Sequence, residues 1–268
     1  MTEFSEEIKK DIRRRRANDV TCALLTDEEI SQIIEEEKGG TTENKEKQPQ
    51  NQQKNEARAS SQKKVSRNSS PDESRLIEEW EKFYKEIGIQ ADFSDLEIPA
   101  KKDGFDRLII IARGIIANIL CAILQSFVLV NKQITDLDVV KSVRKPDKNY
   151  AIWVKDNVES DEKMRNKYPA DIVKAGINGI TVIEYLLMTL KFLKENGRNI
   201  DVQCGTFCTG SSINIGSSSD GKPSGATILF YWEAGVIQIT ITQFTGSRGE
   251  SYSGSGNNRY GGREVVCD

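Results

Sequence analysis

FDRLIIIARGIIANILCAILQSFVLV (105–130) is the longest apolar run in the chain. Its charges are Asp106, Arg107 and Arg113, and Asn118 and Gln125 interrupt it later. At about 1.5 Å per residue, an unbroken helix over this stretch is long enough to cross a bilayer. Arg107, Gly114, Asn118 and Gln125 recur at steps of seven, four and seven. On a helix they form one narrow polar stripe in an otherwise apolar surface. A helix greasy on nearly every side has to be buried in a core, a subunit interface or lipid.

The rest of the chain divides around this stretch. Hydrophobic residues make up 37% of the 268 residues and charged residues 29%. The apolar deficit is concentrated in the first hundred residues. A net charge of −3 lacks the basic bias of a dedicated duplex-binding protein. Five cysteines (Cys22, Cys121, Cys204, Cys208, Cys267) form no disulfide framework, and the opening MTEFSEEIKKDIRRRR has no apolar signal core. A cytoplasmic protein with free thiols is expected. There is no histidine. That removes Ser-His-Asp and Cys-His nucleophile pairs, imidazole bases and His-containing metal sites.

Two short helical motifs are expected in 1–38. Phe4, Ile8 and Ile12 give the first an apolar edge. The second starts at a Thr26-to-Glu29 capping box and carries Ile30, Ile33 and Ile34. Such thin edges suit helices that fold on a protein partner. Arg13, Arg14, Arg15 and Arg16 are a candidate RNA contact, although acids flank them. Residues 39–75 hold one large aliphatic residue, Val65, and read as a disordered linker. Ser69 and Ser70 precede Asp72 and Glu73 by three residues, which makes them phosphorylation candidates.

Order resumes with Leu76, Ile77, Trp80, Phe83, Tyr84 and Ile87 at helical spacing, and Gly88 as the stop. For 105–130, Arg113 at membrane depth costs roughly 2.5–3.5 kcal/mol and no aromatic belt flanks the run. The expectation is therefore a core or oligomer helix with its polar stripe at a rim. A membrane span over 108–130 is the lesser alternative. Leu108, Ile111, Ile115, Ile119, Ile123 and Phe127 are the candidate oligomerisation positions.

Downstream, Thr135 is expected to cap a short helix through Val143, and NYAIWVK (149–155) has strand composition. A second long helix is expected from Pro169 to Asn196-Gly197, lined by Ile172, Val173, Ile180, Ile183, Leu187, Leu190 and Leu193. Gly176 and Gly179 inside it mark a kink or a close crossing. After Ile200 the period becomes two, and four short strands read as an antiparallel meander. In the last of them Ile237, Ile239 and Ile241 alternate with polar residues.

The expected fold is α+β: a disordered N-terminal arm, then long hydrophobic helices packed on a small antiparallel β-meander. Its parts are the motifs of 1–38, the linker 39–75, a globular and oligomerising domain 76–245, and a flexible Gly/Ser/Arg tail 246–268. Within the tail, Arg248, Arg259, Tyr260 and Arg263 are candidate contacts for single-stranded RNA.

Cys204 and Cys208 supply half of a structural zinc site, but the other cysteines are isolated, and residues four apart on a strand share a face where small core residues belong. Lys222 is followed by Pro223, so no phosphate loop is closed. No cofactor, metal or catalytic group is expected.

The layout resembles the modular phosphoproteins of non-segmented negative-strand RNA viruses, the rhabdovirus kind in particular. The piece that carries the resemblance is WEKFYKEIGIQ (80–90) followed by the apolar stretch. It is similar in style to the run that leads into the dimerising helix of lyssavirus phosphoproteins. The β-rich C-terminus departs from that family's helical C-terminal domain, so no nucleocapsid-binding residue is carried over. The resemblance implies an N-terminal motif for free nucleoprotein, an oligomerising centre, a back half for nucleocapsid or polymerase, and work in the host cytoplasm. Two other readings stay open: a capsid or RNA-packaging protein, and a membrane-associated protein. An enzyme is not expected.

Overall fold

Three isoleucines in a row at 109–111 favour extended backbone, because branching at Cβ suits a pleated surface. In the computed structural model they lie on β1 (Arg107–Ile111). Gly114 then takes a positive φ of 75°, and the chain turns. The Ala- and Leu-rich ANILCAILQ forms α2 (Ala117–Gln125), closed by Ser126, whose hydroxyl donates to Ile123 O at 2.7 Å. The stretch ends as β2 (Leu129–Lys132). The long hydrophobic helix expected here does not exist, which corrects the expected fold class. No helix of the described residues is long and apolar enough to cross a membrane.

The structure describes residues 71–217, 223–243 and 259–267. All of them belong to one compact unit, and the other unit, Arg13–Ser69, lies outside the described residues.

The first element is α1 (Pro71–Glu86), which starts inside the stretch assigned to the linker and puts Asp72 and Glu73 in its first turn. The second expected long helix is also broken. It resolves into α3 (Pro169–Lys174) and α4 (Val182–Asn196). Gly176 takes φ 68° at the break, and Gly179 packs so closely on Thr209 that a side chain there would overlap the Thr209 hydroxyl. A real capping box between Thr181 and Glu184 starts α4 afresh. No helix forms from Thr135 to Val143; that segment turns into the two-residue strand β3 (Lys141–Ser142).

The remaining strands are β4 (Tyr150–Val154), β5 (Cys204–Phe207), β6 (Ser211–Ser217), β7 (Pro223–Glu233), β8 (Val236–Gln243), β9 (Arg259–Gly262) and β10 (Val265–Val266). They build two sheets rather than one meander. The smaller has the order β1-β4-β10, all antiparallel, with Leu108 opposite Trp153. The larger has the order β2-β8-β7-β5-β9, with β6 also on β7 and β3 on β6. Its β2–β8 and β5–β9 pairs are parallel, so the sheet is mixed. On β8, Ile237 and Ile239 are buried as alternation requires.

α4 touches both sheets. Its Tyr185 ring stacks on Phe230 of β7 with centroids 4.4 Å apart, and Phe192 lies under the guanidinium of Arg107 on β1. Leu186, Leu187 and Leu190 are fully buried between, in one continuous core that includes Ile109 to Ile111, Leu120 and Leu124. The segment after β8 is also part of the fold: β9 closes one edge of the large sheet and β10 one edge of the small sheet.

Candidate functional site

The polar side chains that matter most to this body are buried. Arg263, between β9 and β10, is 1% exposed and meets Asp201 Oδ1 at 2.7 Å. Its guanidinium also donates to Asn157 O, Val158 O and Thr206 Oγ1. The Tyr185 hydroxyl donates to the other carboxylate oxygen of Asp201 at 2.7 Å. Burial and the facing carboxylate push that hydroxyl well above its ordinary pKa, so it stays a donor. Burial alone would lower the pKa of Arg263, but Asp201 outweighs it and the cation is kept.

A second network sits at the N-terminus of α4. Arg144 binds both oxygens of the fully buried Glu184, at 2.7 and 2.9 Å, and donates to Gly179 O at 2.6 Å. The Tyr150 hydroxyl and the Thr181 N–H donate to the same carboxylate. A third pairs Lys155 with Asp161 at 2.9 Å and Glu264 at 3.4 Å. Each network is closed, with acids and bases holding one another. All three grip 263–267: Arg263 and Glu264 directly, and Cys267 through Arg144 at 3.9 Å. Their chemistry is clamping of the C-terminal segment.

On the surface, the two sheets end in different ways. Trp80 Nε1 donates to Leu108 O at 3.2 Å, and the Tyr84 hydroxyl donates to Ile110 O at 2.9 Å while accepting from Ala112 N–H at 3.1 Å. Two aromatic side chains of α1 thereby occupy the outer edge of β1. Among the described residues no strand pairs with the outer edge of β2. Beside that edge Leu129 is 54% exposed and Phe127 41%. Between α1 and α4 runs a groove of about 280 Å³ lined by Glu79, Lys82, Phe83, Glu86, Lys191, Lys194 and Glu195. Its cations are largely spoken for: Lys191 bonds Glu195 at 2.7 Å and lies over Trp80, and Lys194 pairs with Glu86.

The candidate residues from the sequence scatter. Leu108, Ile111, Ile115 and Ile123 are buried in the chain's own core, Ile119 is half-buried and Phe127 is exposed, so they share no stripe. The polar rim is dispersed too. Arg107 on β1 pairs with Asp156 and Glu195, and Asn118 on α2 binds Asp136 and Asp138. Of the RNA candidates, Arg263 is buried in an ion pair and Tyr260 packs on Phe207 and Tyr231, which corrects their placement in a flexible tail. Arg259 lies on β9. Phe4, Ile8, Ile12, Arg13, Arg14, Arg15, Arg16, Ile30, Ile33, Ile34, Ser69, Ser70 and Arg248 lie outside the described residues. Cys204 and Cys208 are both buried, and among the described residues no three potential metal ligands gather.

The buried ion pairs escaped the sequence reading because their partners are 62 and 40 residues apart. Only the Thr181-to-Glu184 spacing carried a local signal. No family model, no curated protein and no solved structure matches the chain.

Proposed function

We propose that this chain is a non-enzymatic interaction protein that self-associates, a phosphoprotein-type scaffold linking a viral nucleoprotein to its polymerase in the host cytoplasm. The observation that carries the reading is the open outer edge of β2 with Leu129 and Phe127 beside it. An edge strand is a row of free N–H and C=O groups, and natural proteins blunt such edges with charge or cover. Here the edge is four residues long and mixed: Leu129 and half-buried Val130 are followed by Asn131 and Lys132, and the apolar patch is Leu129 with the neighbouring Phe127. The occupant it fits is a second copy: two β2 strands running antiparallel about a two-fold axis satisfy each other's backbone groups and bury both pairs of apolar side chains.

The sequence layout supports the rest. The amphipathic motifs of 1–38 suit a protein partner, the hydrophilic composition of 39–70 suits a linker that gives them reach, and Ser69 and Ser70 directly precede in sequence the acidic first turn of α1. The odd cysteine count, with Cys121 and Cys208 buried singly, favours a reducing compartment.

Light scattering on the full chain at tens of micromolar, without detergent, tests the reading. A dimer or larger species is expected, and Leu129→Lys should return it to a monomer. A wild-type chain that runs as a monomer would end the proposal.

A further inference from the structure

The segment KSVRK (141–145) crosses the surface as the two-residue strand β3 followed by a bend, with its side chains alternating between outward and inward before the turn at Pro146-Asp147. Ser142 and Arg144 face inward. Ser142 Oγ lies 2.8 Å from Ser211 Oγ, and Arg144 is fixed by Glu184 and Gly179 O. The backbone is held as well: Lys141 pairs with Ser212, and the Val143 N–H donates to Gly210 O at 2.9 Å. Lys141, Val143 and Lys145 face solvent. Val143 is 74% exposed, more than any other large apolar side chain described.

Two further cations join this ridge. The Gly114 N–H donates to Pro146 O at 2.7 Å and the Arg113 N–H to Asn149 Oδ1 at 2.8 Å, which brings exposed Arg113 beside Lys148 and Lys145. Among the described residues no acid lies within ion-pair reach of Arg113, Lys141, Lys145 or Lys148. Elsewhere among the described residues Lys101, Arg107, Lys155, Lys191 and Lys194 are paired, whereas exposed Lys85, Lys102, Lys163, Lys167, Lys174 and Arg198 also lack an acid partner but lie on different elements. The acids around the ridge are exposed Asp147, Asp92 and Asp95, whose backbone carbonyl and carboxylate respectively accept from Asn149, and Asp136 and Asp138 bound to Asn118.

We infer that this ridge binds single-stranded RNA, with Arg113, Lys141, Lys145 and Lys148 on backbone phosphates and Val143 against a base or ribose face. Outward cations without an acid partner, on a backbone tied down at Lys141, Val143, Gly114 and Arg113, match a polyanion, and the backbone needs no ordering on contact. The apolar knob between two lysines selects single strands, since a duplex stacks its base faces away. This site is separate from the β2 edge, so either can fail without the other.

The test is fluorescence anisotropy of the full chain with a fluorescein-labelled 20-nucleotide polyuridylate, titrated at several salt concentrations. Four variants are compared with wild type: K141E/K145E, V143S, L129K, and R13A/R14A/R15A/R16A. Each should keep the wild-type thermal midpoint. Binding that falls steeply with salt is expected. K141E/K145E should weaken it at least tenfold and reduce the log–log salt slope by about 1.4, at roughly 0.7 per lost phosphate contact. V143S should weaken it about threefold with the slope unchanged, and L129K should bind as wild type. The inference is overturned if wild type does not bind, if K141E/K145E binds as wild type, or if only the arginine variant loses affinity. It is equally overturned if polyglutamate or vesicles with 30% anionic lipid bind the ridge as tightly as the RNA does.

Discussion

β1 and β2 are both edge strands cut from one apolar stretch, but their outer edges are treated in opposite ways. On β1, Leu108 O, Ile110 O and Ala112 N–H are met by Trp80 and Tyr84 from α1, and Lys191 lies over the Trp80 ring. On β2 the outward groups have no strand partner among the described residues, and Leu129 stands in solvent. The contrast separates two uses of apolar sequence. Where an aromatic helix reaches across, the edge becomes core and adds to stability. Where nothing reaches across, the same kind of strand is left available for association.

The covered edge should be the sensitive one. Trp80→Ala removes a ring that is 1% exposed and orphans the Leu108 carbonyl. A loss of about 3–5 kcal/mol is expected in denaturant unfolding. Tyr84→Phe keeps the ring and deletes only the hydroxyl, leaving Ile110 O and Ala112 N–H unmet. It should cost about 1–3 kcal/mol, and an unchanged unfolding midpoint would mean that the aromatic cover is packing alone. At the open edge the order reverses. Leu129→Lys should move stability by no more than about 0.5 kcal/mol while abolishing self-association in light scattering. If it destabilised as much as Tyr84→Phe, β2 would be as internal as β1 and the contrast would collapse.

The smallest effect concerns the ion pairs at the start of β1. Burial would raise the pKa of Glu195, but its hydrogen bonds from Arg107 and Lys191 outweigh that and hold it below the ordinary value of 4.5. A carboxylate depressed in the folded state gives stability that is complete above its unfolded value and is lost as pH falls through the folded one. Glu195→Gln should therefore lower the thermal midpoint at pH 7 and lower it by less at pH 3. A variant that differs equally from wild type at both pH values would show that the pairing adds nothing pH-dependent.

What was legible in the sequence follows the same division. α1 was readable because Leu76, Ile77, Trp80, Phe83, Tyr84 and Ile87 mark one face, and β4 to β8 because turns and period two frame them. Residues 105–130 were not, since strands and helices buried on both sides look alike when apolar residues are continuous. The difference lay in local chemistry: three consecutive isoleucines, then Gly114 at positive φ, then an Ala/Leu segment. The second long helix failed for a related reason. Inside a continuous helix its glycines fit a kink or a close helix crossing, whereas Gly179 is a close approach of a different kind, where the backbone packs on Thr209 and the helix has not yet begun. Of the candidate sites, the tail was misjudged because Gly/Ser composition at 246–256 masks the strand residues that follow it, and Arg263 looks like a surface cation until Asp201 is placed beside it.

That late strand sets an order on biosynthesis. Asp201, β5 and the strands that β9 and β10 flank are made before the residues that complete them. Translation at about 5–20 residues per second puts on the order of a second between the end of β8 and the arrival of Arg263. Through that interval the Asp201 carboxylate is without its cation. The body therefore reaches its final state only after residues 259–266 are available, and a chain halted before residue 259 would be unlatched.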